Sequence, residues 1–389
     1  MTTGRSTARD YPPLPRLPVG LTLRENVGLD QYTTIGIGGP ARWMVDCRST
    51  EELRLALMWA TEAQVPIFVL GGGSNVLVAD TGWPGIVIRN CIGEMDFAPA
   101  GENVEAVAGG GINWDDFVRE SVERNLQGIE CLSGIPGTVG AAPVQNIGAY
   151  GQEVKETIAW VEAMERSSGL VRRFSNHECR FDYRWSIFKG SARDQYVVTR
   201  VAFLLRPGGA PSLRYGDITR YFTEQQIDNP TLAQVREAVL EIRKSKGMVI
   251  DAEIADSRSC GSFFMNPIVN QDIADNVEQI ATSGATALPG ASMPRYPAGP
   301  RQTKLSAAWL IERAGFQKGH VCDNAGLSSR HVLAIINRGG ARAADVTKLV
   351  SEIQQRVLEK FFIKLQPEPV FVGFEDLSAP GQNNSEVVS

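Results

Sequence analysis

The densest group of residues that could do chemistry is a glycine-rich run, Leu132–Glu153, which reads LSGIPGTVGAAPVQNIGAYGQE. Five glycines and three alanines leave much of its backbone without bulky side chains, so a ligand can approach the chain closely. Pro136 suits the first turn of a helix, and the N–H groups of such a turn attract anions, most often phosphate. The run therefore predicts a phosphate-cradling loop rather than a plain connection between two elements.

Two common phosphate motifs are missing from the chain. A P-loop needs Lys followed by Ser or Thr after its last glycine, and the run contains no such pair. The best Rossmann candidate, Gly71–Val76, has valine where the fingerprint requires its last glycine. This second loop follows a short apolar segment, Val65–Leu70, which predicts a buried strand. A nucleotide-type ligand would therefore be bound in some other fold.

Three short segments in the second half could also do chemistry. Arg184, within Tyr183–Lys189, could bind a carboxylate or phosphate through two hydrogen bonds, or could be a surface arginine beside an aromatic cluster. Ser262, within Gly261–Phe264, could offer a hydroxyl beside two rings, or could cap a turn; no histidine is tied to it, so a hydrolase triad is unsupported. Glu368 lies between two prolines, where a rigidly held carboxyl group favours its protonated form. The alternative for Glu368 is an exposed glutamate in a turn.

Helices and strands that could position these segments are predicted along most of the chain. Periodic apolar residues and capping residues predict helices at 50–60, 114–125, 231–246, 304–314 and 342–364. Apolar segments predict strands at 65–70, 85–89, 103–108, 157–165, 170–174, 196–205, 331–336 and 370–372. The segment 284–303 is rich in proline and glycine and is predicted to be irregular. At 389 residues the chain has room for two or three domains.

Bulk properties argue against several classes of protein. A net charge of −5 gives no sign of bulk nucleic-acid binding. Six scattered cysteines without a C-x-x-C pair argue against a zinc site and a disulfide framework, and are typical of a reducing cytoplasm. The three histidines lack metal-ligand spacing, so no metal is expected. No apolar run is long enough for a membrane span, and the N-terminus does not read as a signal peptide.

Taken in order, the segments resemble the UDP-N-acetylenolpyruvoylglucosamine reductases, the MurB family of flavoenzymes. The resemblance is carried by TTIGIGG at 33–39, LGGGSN at 70–75, IPGTVG at 135–140, QNIGAYG at 145–151, YR at 183–184, GSFF at 261–264, KLSAAWLIE at 304–312 and PE at 367–368. Each piece is weak by itself, but the ordered set is specific and spans residues 30–373.

The resemblance implies an α+β protein with an FAD-binding cradle of the vanillyl-alcohol-oxidase and p-cresol-methylhydroxylase type. The implied parts are a tail at 1–20, FAD-binding subdomains at 21–95 and 96–225, a C-terminal α+β substrate-binding domain at 226–364, a returning strand with a catalytic glutamate at 365–375, and a tail at 376–389. FAD is expected to be non-covalent because neither glycine loop contains histidine, although Cys131 leaves a covalent link open. NADPH is the second implied cofactor.

The implied reaction reduces UDP-N-acetylglucosamine enolpyruvate with NADPH by way of FAD, in cytoplasmic peptidoglycan precursor synthesis. By family position, Ser262 donates a proton, and Arg184 and Glu368 stabilise the charge that develops on the substrate. The implied FAD contacts are Leu70, Gly71, Gly72, Gly73, Ser74, Asn75, Ser133, Gly134, Ile135, Pro136, Gly137, Gly140 and Ala141. The implied contacts to substrate or NADPH phosphate are Tyr183, Tyr215, Lys246 and Asn266. A monomer is expected.

The sequence departs from the commonest family pattern after Lys246. Residues 247–250 read GMVI where many members read Leu-Pro-Asp-Pro, and extra residues precede Gly261. Met265 and Val370 stand where Lys and Arg are frequent. The longer loop is similar to that of actinobacterial members, and these changes bear on the phosphate contacts more than on the chemistry.

Two other readings stay open at this point. A flavin oxidase or dehydrogenase of the same fold, acting on an alcohol or a sugar lactone, would keep the glycine loops but would not need Gly-Ser-Phe-Phe or Pro-Glu. A nucleotide-binding regulatory module without catalysis would not need to retain Arg184, Ser262 and Glu368 together. Bound flavin separates the second reading from the others, because a regulatory module of this kind would be purified colourless.

Overall fold

The computed structural model describes residues 14–251, 253–282 and 292–374. The chain forms two compact units and passes between them more than once. Unit 1 comprises residues 1–28, 40–73 and 83–244, and unit 2 comprises residues 29–39, 74–82 and 245–389. The predicted tail 376–389 and most of the predicted tail 1–20 lie outside the described residues. The predicted domain bounds stay predictions.

Unit 1 is built on two sheets. The first has the strand order Arg24–Gly28, Pro40–Cys47, Trp83–Asn90, Ile67–Leu70, and its last three strands are parallel. The second is antiparallel, with the order Val171–Ser175, Ile158–Glu165, Tyr196–Pro207, Asn103–Gly109, Met95–Ala100, and with Leu126–Gln127 paired to the end of Tyr196–Pro207. A hairpin of Gly148–Ala149 and Gln152–Glu153 ends the glycine-rich run.

The two longer helices near the start of unit 1 each follow a residue whose side chain accepts hydrogen bonds from their first N–H groups. The helix Thr50–Glu62 follows Ser49, and the helix Trp114–Glu123 follows Asn113, whose side chain accepts two backbone hydrogen bonds as predicted. Trp114 and Phe117 are buried, and the Phe117 ring lies 4.9 Å from that of Phe203 on the second sheet. The other helices are Asn176–Cys179, Gly216–Glu224 and Leu232–Ser245, which ends at the boundary of the unit.

In the described part of unit 2, three helices pack against short strands. The helices are Gln271–Thr282, Ala307–Arg313 and Ala343–Phe361. One antiparallel sheet has the strand order Ser259–Ser262, Ala334–Asn337, Ala325–Leu327, Val321–Cys322. A second antiparallel sheet has the strand order Ile268–Asn270, Gln302–Leu305, Arg295–Pro297. The strand Val370–Val372 is parallel to Val76–Val78. The predicted apolar stripe of the longest helix is buried in the core of this unit.

The structure corrects three predictions of secondary structure. The predicted helix 304–314 starts only at Ala307, because residues 302–305 pair with strands on both sides and Ser306 caps the helix. The predicted strand 331–336 forms only at Ala334–Asn337. The segment 284–303 is not irregular throughout, since strands occupy 295–297 and 302–305, whereas 284–291 lies outside the described residues.

Several regular elements of the structure were not predicted, among them the helices Gly216–Glu224 and Gln271–Thr282 and the strands Pro40–Cys47 and Met95–Ala100. The strand Pro40–Cys47 is fixed by pairing with the distant strand Trp83–Asn90, which local composition does not reveal. The strand Met95–Ala100 instead forms a tight hairpin with the neighbouring strand Asn103–Gly109. Within the described part of the chain, none of the helices is both long and apolar enough to cross a membrane.

Candidate active site

Two glycine loops of unit 1 lie directly against each other, and we call them the glycine cradle: Leu70–Gly73 and Ser133–Ala141. A Cβ atom added at Gly71 would lie 2.8 Å from Thr138 Oγ1, and one added at Gly72 would lie 2.7 Å from Gly137 Cα. Real Cβ atoms essentially never come this close to a neighbour, so only glycine fits at these positions. The predicted loops are therefore neighbours, and the close backbone approach explains their composition.

No α-helix follows Pro136, which corrects the expectation of a helix N-terminus. Residues Val139–Ala141 form only a single 3-10 turn. In the described part of the chain, the backbone N–H groups of Gly72 and Thr138 donate no hydrogen bond to a protein acceptor. A bare backbone with such N–H groups suits the phosphate oxygens of a dinucleotide, so the cradle fits an FAD diphosphate without a helix dipole.

A third glycine loop, Gly109–Gly111, supports the cradle and was not predicted. The Gly140 N–H donates to Gly110 O at 2.9 Å, and a Cβ at Gly140 would lie 2.8 Å from the same oxygen. The Trp114 N–H donates to Gly137 O at 3.1 Å, which joins the cradle to the start of a helix. The signal in the sequence was a glycine triplet at the end of a predicted strand.

Two charged side chains, the half-buried Asp115 and the buried Arg243, hold the cradle residue Gly134 from both sides. Its N–H donates to Asp115 Oδ1 at 2.6 Å, and its carbonyl accepts from Arg243 Nε at 3.1 Å. Arg236 binds both oxygens of Asp115, at 2.6 and 2.7 Å. Burial works to raise the pKa of Asp115, but the hydrogen bonds from Arg236 and Gly134 outweigh it and hold that pKa below its usual value. This arrangement joins distant segments, so no local pattern in the sequence predicts it.

The second half of the glycine-rich run positions Arg184. Asp182 and Trp185 exchange two backbone hydrogen bonds of 3.1 Å, so Tyr183 and Arg184 form the tip of a tight turn. Arg184 has φ of +53°, in the left-handed region, and its Nη2 donates to Gly148 O at 2.9 Å. The buried Asn146, which was not predicted, holds the turn through a 2.9 Å hydrogen bond from Nδ2 to Asp182 O.

Tyr215 lies at the start of the helix Gly216–Glu224 and is 37% exposed. Its ring packs edge-on against that of Tyr150, with centroids 5.4 Å apart. Tyr150 belongs to the glycine-rich run, so the structure brings Tyr215 beside the end of that run within unit 1. An exposed ring with one fixed edge can contact a ligand.

In unit 2, backbone pairing brings Ser262 and Glu368 onto adjacent segments. The Glu368 N–H donates to Phe263 O at 2.9 Å, and the Met265 N–H donates to Gln366 O at 3.0 Å. Ser262 ends the strand Ser259–Ser262 just after Gly261, whose φ of +73° turns the chain. Because Phe263 and Phe264 are buried, the half-buried Ser262 and Glu368 are carried on a rigid apolar base.

Asn75 has a role that the sequence analysis did not predict. Its Nδ2 donates to Glu368 O at 3.3 Å, and its carbonyl accepts from the Val370 N–H at 3.0 Å. Ser74 and Asn75 belong to unit 2, whereas the rest of their loop belongs to unit 1. Within unit 2, Asn75 therefore fixes the backbone of the predicted catalytic glutamate.

Asn266, the predicted substrate contact of unit 2, also caps a helix. Its Oδ1 accepts from the Ala307 N–H at 2.9 Å, and this hydrogen bond orients the amide. In the described part of the chain, its Nδ2 donates to no protein acceptor, so this group can donate to a ligand.

Lys246 is half-buried and helps to lower the pKa of a nearby histidine, His331. Burial, with smaller contributions from Lys246 and Lys318, lowers the pKa of His331 to about 4. His331 Nδ1 accepts from the Leu333 N–H at 3.1 Å, which needs the neutral ring. Leu333 O in turn accepts from the Phe263 N–H at 2.7 Å, so this turn supports the segment that follows Ser262.

We expect acid to destabilise the protein through His331. Its pKa is lowered from 6.5 to about 4 in the folded state, so between these values the unfolded chain binds more protons. Stability therefore falls as pH falls through this window, by about 2 kcal/mol from pH 7 to pH 5. Urea unfolding at both pH values should show that the free energy of unfolding falls less from pH 7 to pH 5 for His331→Asn than for the wild type. Asparagine keeps an acceptor near the Leu333 N–H. The exposed His177→Asn is the control, and an equal acid loss in wild type and His331→Asn contradicts the prediction.

The comparison with known proteins first gives the class of protein. Residues 41–175 match the family described as FAD binding domain, and residues 253–372 match the C-terminal domain of UDP-N-acetylenolpyruvoylglucosamine reductase. The first match contains the glycine cradle, and the second contains Ser262 and Glu368. The fold and the site therefore define an FAD-dependent oxidoreductase.

Related chains then give the family. The chain is 44% identical over 351 residues to UDP-N-acetylenolpyruvoylglucosamine reductase of Thermobifida fusca, covering 90% of this chain and 97% of the relative. It is 45% identical over 348 residues to the same enzyme of Saccharopolyspora erythraea, covering 88% and 94%. The structure is similar to that of the Thermus caldophilus reductase (MurB), with TM-score 0.59, 26% identity and coverage of 90% and 98%. The chain belongs to the UDP-N-acetylenolpyruvoylglucosamine reductase family.

These findings confirm the predicted family, the α+β class with an FAD-binding region, and the cofactors FAD and NADPH. The roles of the individual site residues stay predictions.

Replacing Gly72 with alanine should strongly weaken FAD binding, because the new Cβ would lie 2.7 Å from backbone at Gly137 and force the two loops apart. The measurement is flavin absorbance per protein after purification, with added FAD titrated by fluorescence quenching; we expect affinity to fall at least about 100-fold. Gly93→Ala is the matched control, because its Cβ would meet only an ordinary 3.7 Å contact. If Gly72→Ala is purified with as much flavin as the wild type, the prediction that the glycine cradle binds FAD is contradicted.

Proposed function

We propose that this chain reduces UDP-N-acetylglucosamine enolpyruvate to UDP-N-acetylmuramate with NADPH, a step of peptidoglycan precursor synthesis. The single observation that carries the proposal is identity above 40% to named reductases along about nine-tenths of the chain. We also propose that the protein acts in the cytoplasm as a monomer. Retention of Arg184, Ser262 and Glu368 supports a catalyst over a regulatory nucleotide-binding module.

The glycine cradle would hold the diphosphate of FAD through the backbone of Gly71–Gly73 and Ser133–Ala141, together with Leu70, Ser74 and Asn75. When bound, FAD supplies two-electron hydride chemistry between NADPH and the substrate. Non-covalent binding is supported by the state of Cys131, whose thiol is fully buried and donates to Ser212 O at 3.2 Å. Burial raises the pKa of this thiol, which disfavours the reactive thiolate.

Ser262 would give a proton to the substrate carbon next to the carboxylate. A serine hydroxyl is a weak acid, so it can protonate only a strongly basic carbon such as the one formed after hydride addition. The backbone of Ser262 is held by its strand pairing with Ala334 and by the buried Phe263 that follows. This fixed position would decide which face of the carbon receives the proton.

Arg184 and Glu368 would stabilise the negative charge that spreads into the substrate carboxylate. Arg184 is held by Gly148 O through Nη2, so the guanidinium is oriented before the substrate binds. The Glu368 backbone is held by Phe263 and Asn75, so its half-buried carboxyl group is carried on a fixed segment.

The remaining contacts would recognise the nucleotide part of the substrate or NADPH. Lys246 supplies a point charge suited to a phosphate, and Asn266 supplies an amide that Ala307 orients. Tyr183 and Tyr215 present aromatic rings with hydroxyl groups.

The test is anaerobic NADPH oxidation by the purified flavoprotein, with and without UDP-N-acetylglucosamine enolpyruvate. Multiple turnovers that require this substrate, with UDP-N-acetylmuramate as product, are the expected result. If the protein contains flavin but its rate of NADPH oxidation is the same with and without the substrate, the proposal is overturned. Alcohols and sugar lactones with an artificial electron acceptor would then test the oxidase reading.

A further inference from the structure

A fully buried carboxylate lies at the start of the glycine cradle and has no part in the proposed chemistry. Glu130 is 0% exposed. Its Oε2 accepts from the Gly128 N–H at 2.8 Å, and its Oε1 accepts from Gln152 Nε2 at 2.9 Å and from the Ser212 N–H at 2.8 Å. A carboxylate can accept on both oxygens at once, whereas an amide would place a donor against a donor. The site therefore requires glutamate in particular.

The hydrogen bonds of Glu130 join chain segments that are far apart in sequence. Gln152 lies in the hairpin that ends the glycine-rich run, and Ser212 lies three residues before Tyr215. Cys131 adds a second hold on Ser212, because its thiol donates to Ser212 O at 3.2 Å. The N–H and the carbonyl of Ser212 are thus hydrogen-bonded by two consecutive residues, Glu130 and Cys131, of the segment that leads into the cradle.

The segment that Glu130 holds has little local structure to fix it. Residues 209–214 form neither helix nor strand, and they carry the chain to Tyr215. On the far side of this segment, Arg214 pairs with Glu156 at 3.1 Å and the Tyr215 ring packs on Tyr150. Arg214 is two-thirds exposed, so its ion pair contributes little, and the buried bond to Ser212 is the stronger hold.

We propose that Glu130 is a positioning residue that sets the place of Tyr215 for substrate binding, acting through Ser212. This inference rests on the proposed contact between Tyr215 and the substrate. The same carboxylate lies three residues before Ser133, whose Oγ donates to Glu130 O at 2.6 Å, so Tyr215 and the cradle share one anchor. Glu130 touches neither substrate nor cofactor in this scheme.

Glu130→Gln should raise the KM for the enolpyruvyl substrate about tenfold, with NADPH-dependent flavin reduction and flavin content unchanged, because one N–H in the network loses its acceptor. Arg214→Met is the matched control, since it removes the exposed ion pair of the same segment with Glu156 and leaves the bond from the Ser212 N–H to Glu130 in place. An equal KM increase in both variants means that the buried bond is not the stronger hold and overturns the proposal.

A double-mutant cycle separates this inference from the proposed function. If Glu130 acts through Tyr215, Glu130→Gln changes the KM little in a Tyr215→Ala background. A tenfold effect that persists in that background overturns the inference alone. An unchanged KM in Tyr215→Ala by itself overturns the proposed role of Tyr215, and the positioning inference with it.

Hydrogen exchange gives a readout that needs neither activity nor a folded variant. In the wild-type holoenzyme the Ser212 amide should exchange at least about 100-fold more slowly than other amides of 209–214, because its N–H is bound to a buried carboxylate. Glu130→Asp, the second variant if Glu130→Gln does not fold, should speed this exchange by retracting the carboxylate. A Ser212 amide that exchanges as fast as its neighbours overturns the inference.

Discussion

Ser262→Ala should slow single-turnover reduction of the enolpyruvyl substrate about 10³-fold, while NADPH bleaches the flavin absorbance at the wild-type rate. The variant lacks the hydroxyl proton that the reacting carbon must receive, but NADPH oxidation needs no such proton. The strand should survive, because Ser262 pairs with Ala334 through backbone groups and alanine occupies little space. Stopped-flow absorbance measures the first half-reaction, and product quantified after rapid quench measures the second.

Ser329→Ala is the matched control for this experiment. Ser329 is exposed and belongs to the same unit as Ser262. Its hydroxyl donates a hydrogen bond to Asp256, and it has no proposed contact with the substrate. We expect wild-type rates in both half-reactions for the control. An equal loss of both half-reactions in Ser262→Ala would contradict the proton-donor role, since it would indicate general damage to the site.

Arg184→Lys should lower the rate of the same substrate half-reaction about 100-fold. Lysine keeps the positive charge but loses the planar fork, so it cannot bind Gly148 O and a carboxylate with two fixed arms. The left-handed φ of +53° strains arginine and lysine alike, so the backbone contribution to stability cancels in this comparison. The measurement is again product formation in a single turnover.

Arg180→Lys is a close control, because Arg180 is exposed in the same unit and also has a left-handed φ, of +47°. It should leave both half-reactions unchanged. If Arg184→Lys reacted at the wild-type rate, charge alone would suffice at this position, and the fork argument would fail. Thermal unfolding of both variants should show similar small changes.

Local sequence signals predicted the elements that depend on local physics. Asn113 was predicted to cap a helix and does so with two hydrogen bonds, and the apolar stripe from Val346 to Val357 is buried. Caps and helical periodicity act over a few residues, so they can be read from one segment. The helix predicted to start at Lys304 failed because β-pairing at 302–305 depends on distant strands.

The sequence by itself determined the family, and it predicts a bare-backbone phosphate cradle and Arg184, Ser262 and Glu368 as the reacting groups. Each of these depends on residue types in a fixed order. Only the tertiary structure decided that Asn75 fixes Glu368, that Asn146 fixes the Arg184 turn, and that Glu130 binds the segment before Tyr215. These are hydrogen bonds between residues remote in sequence, and such pairs leave no local spacing or periodicity from which they could be predicted.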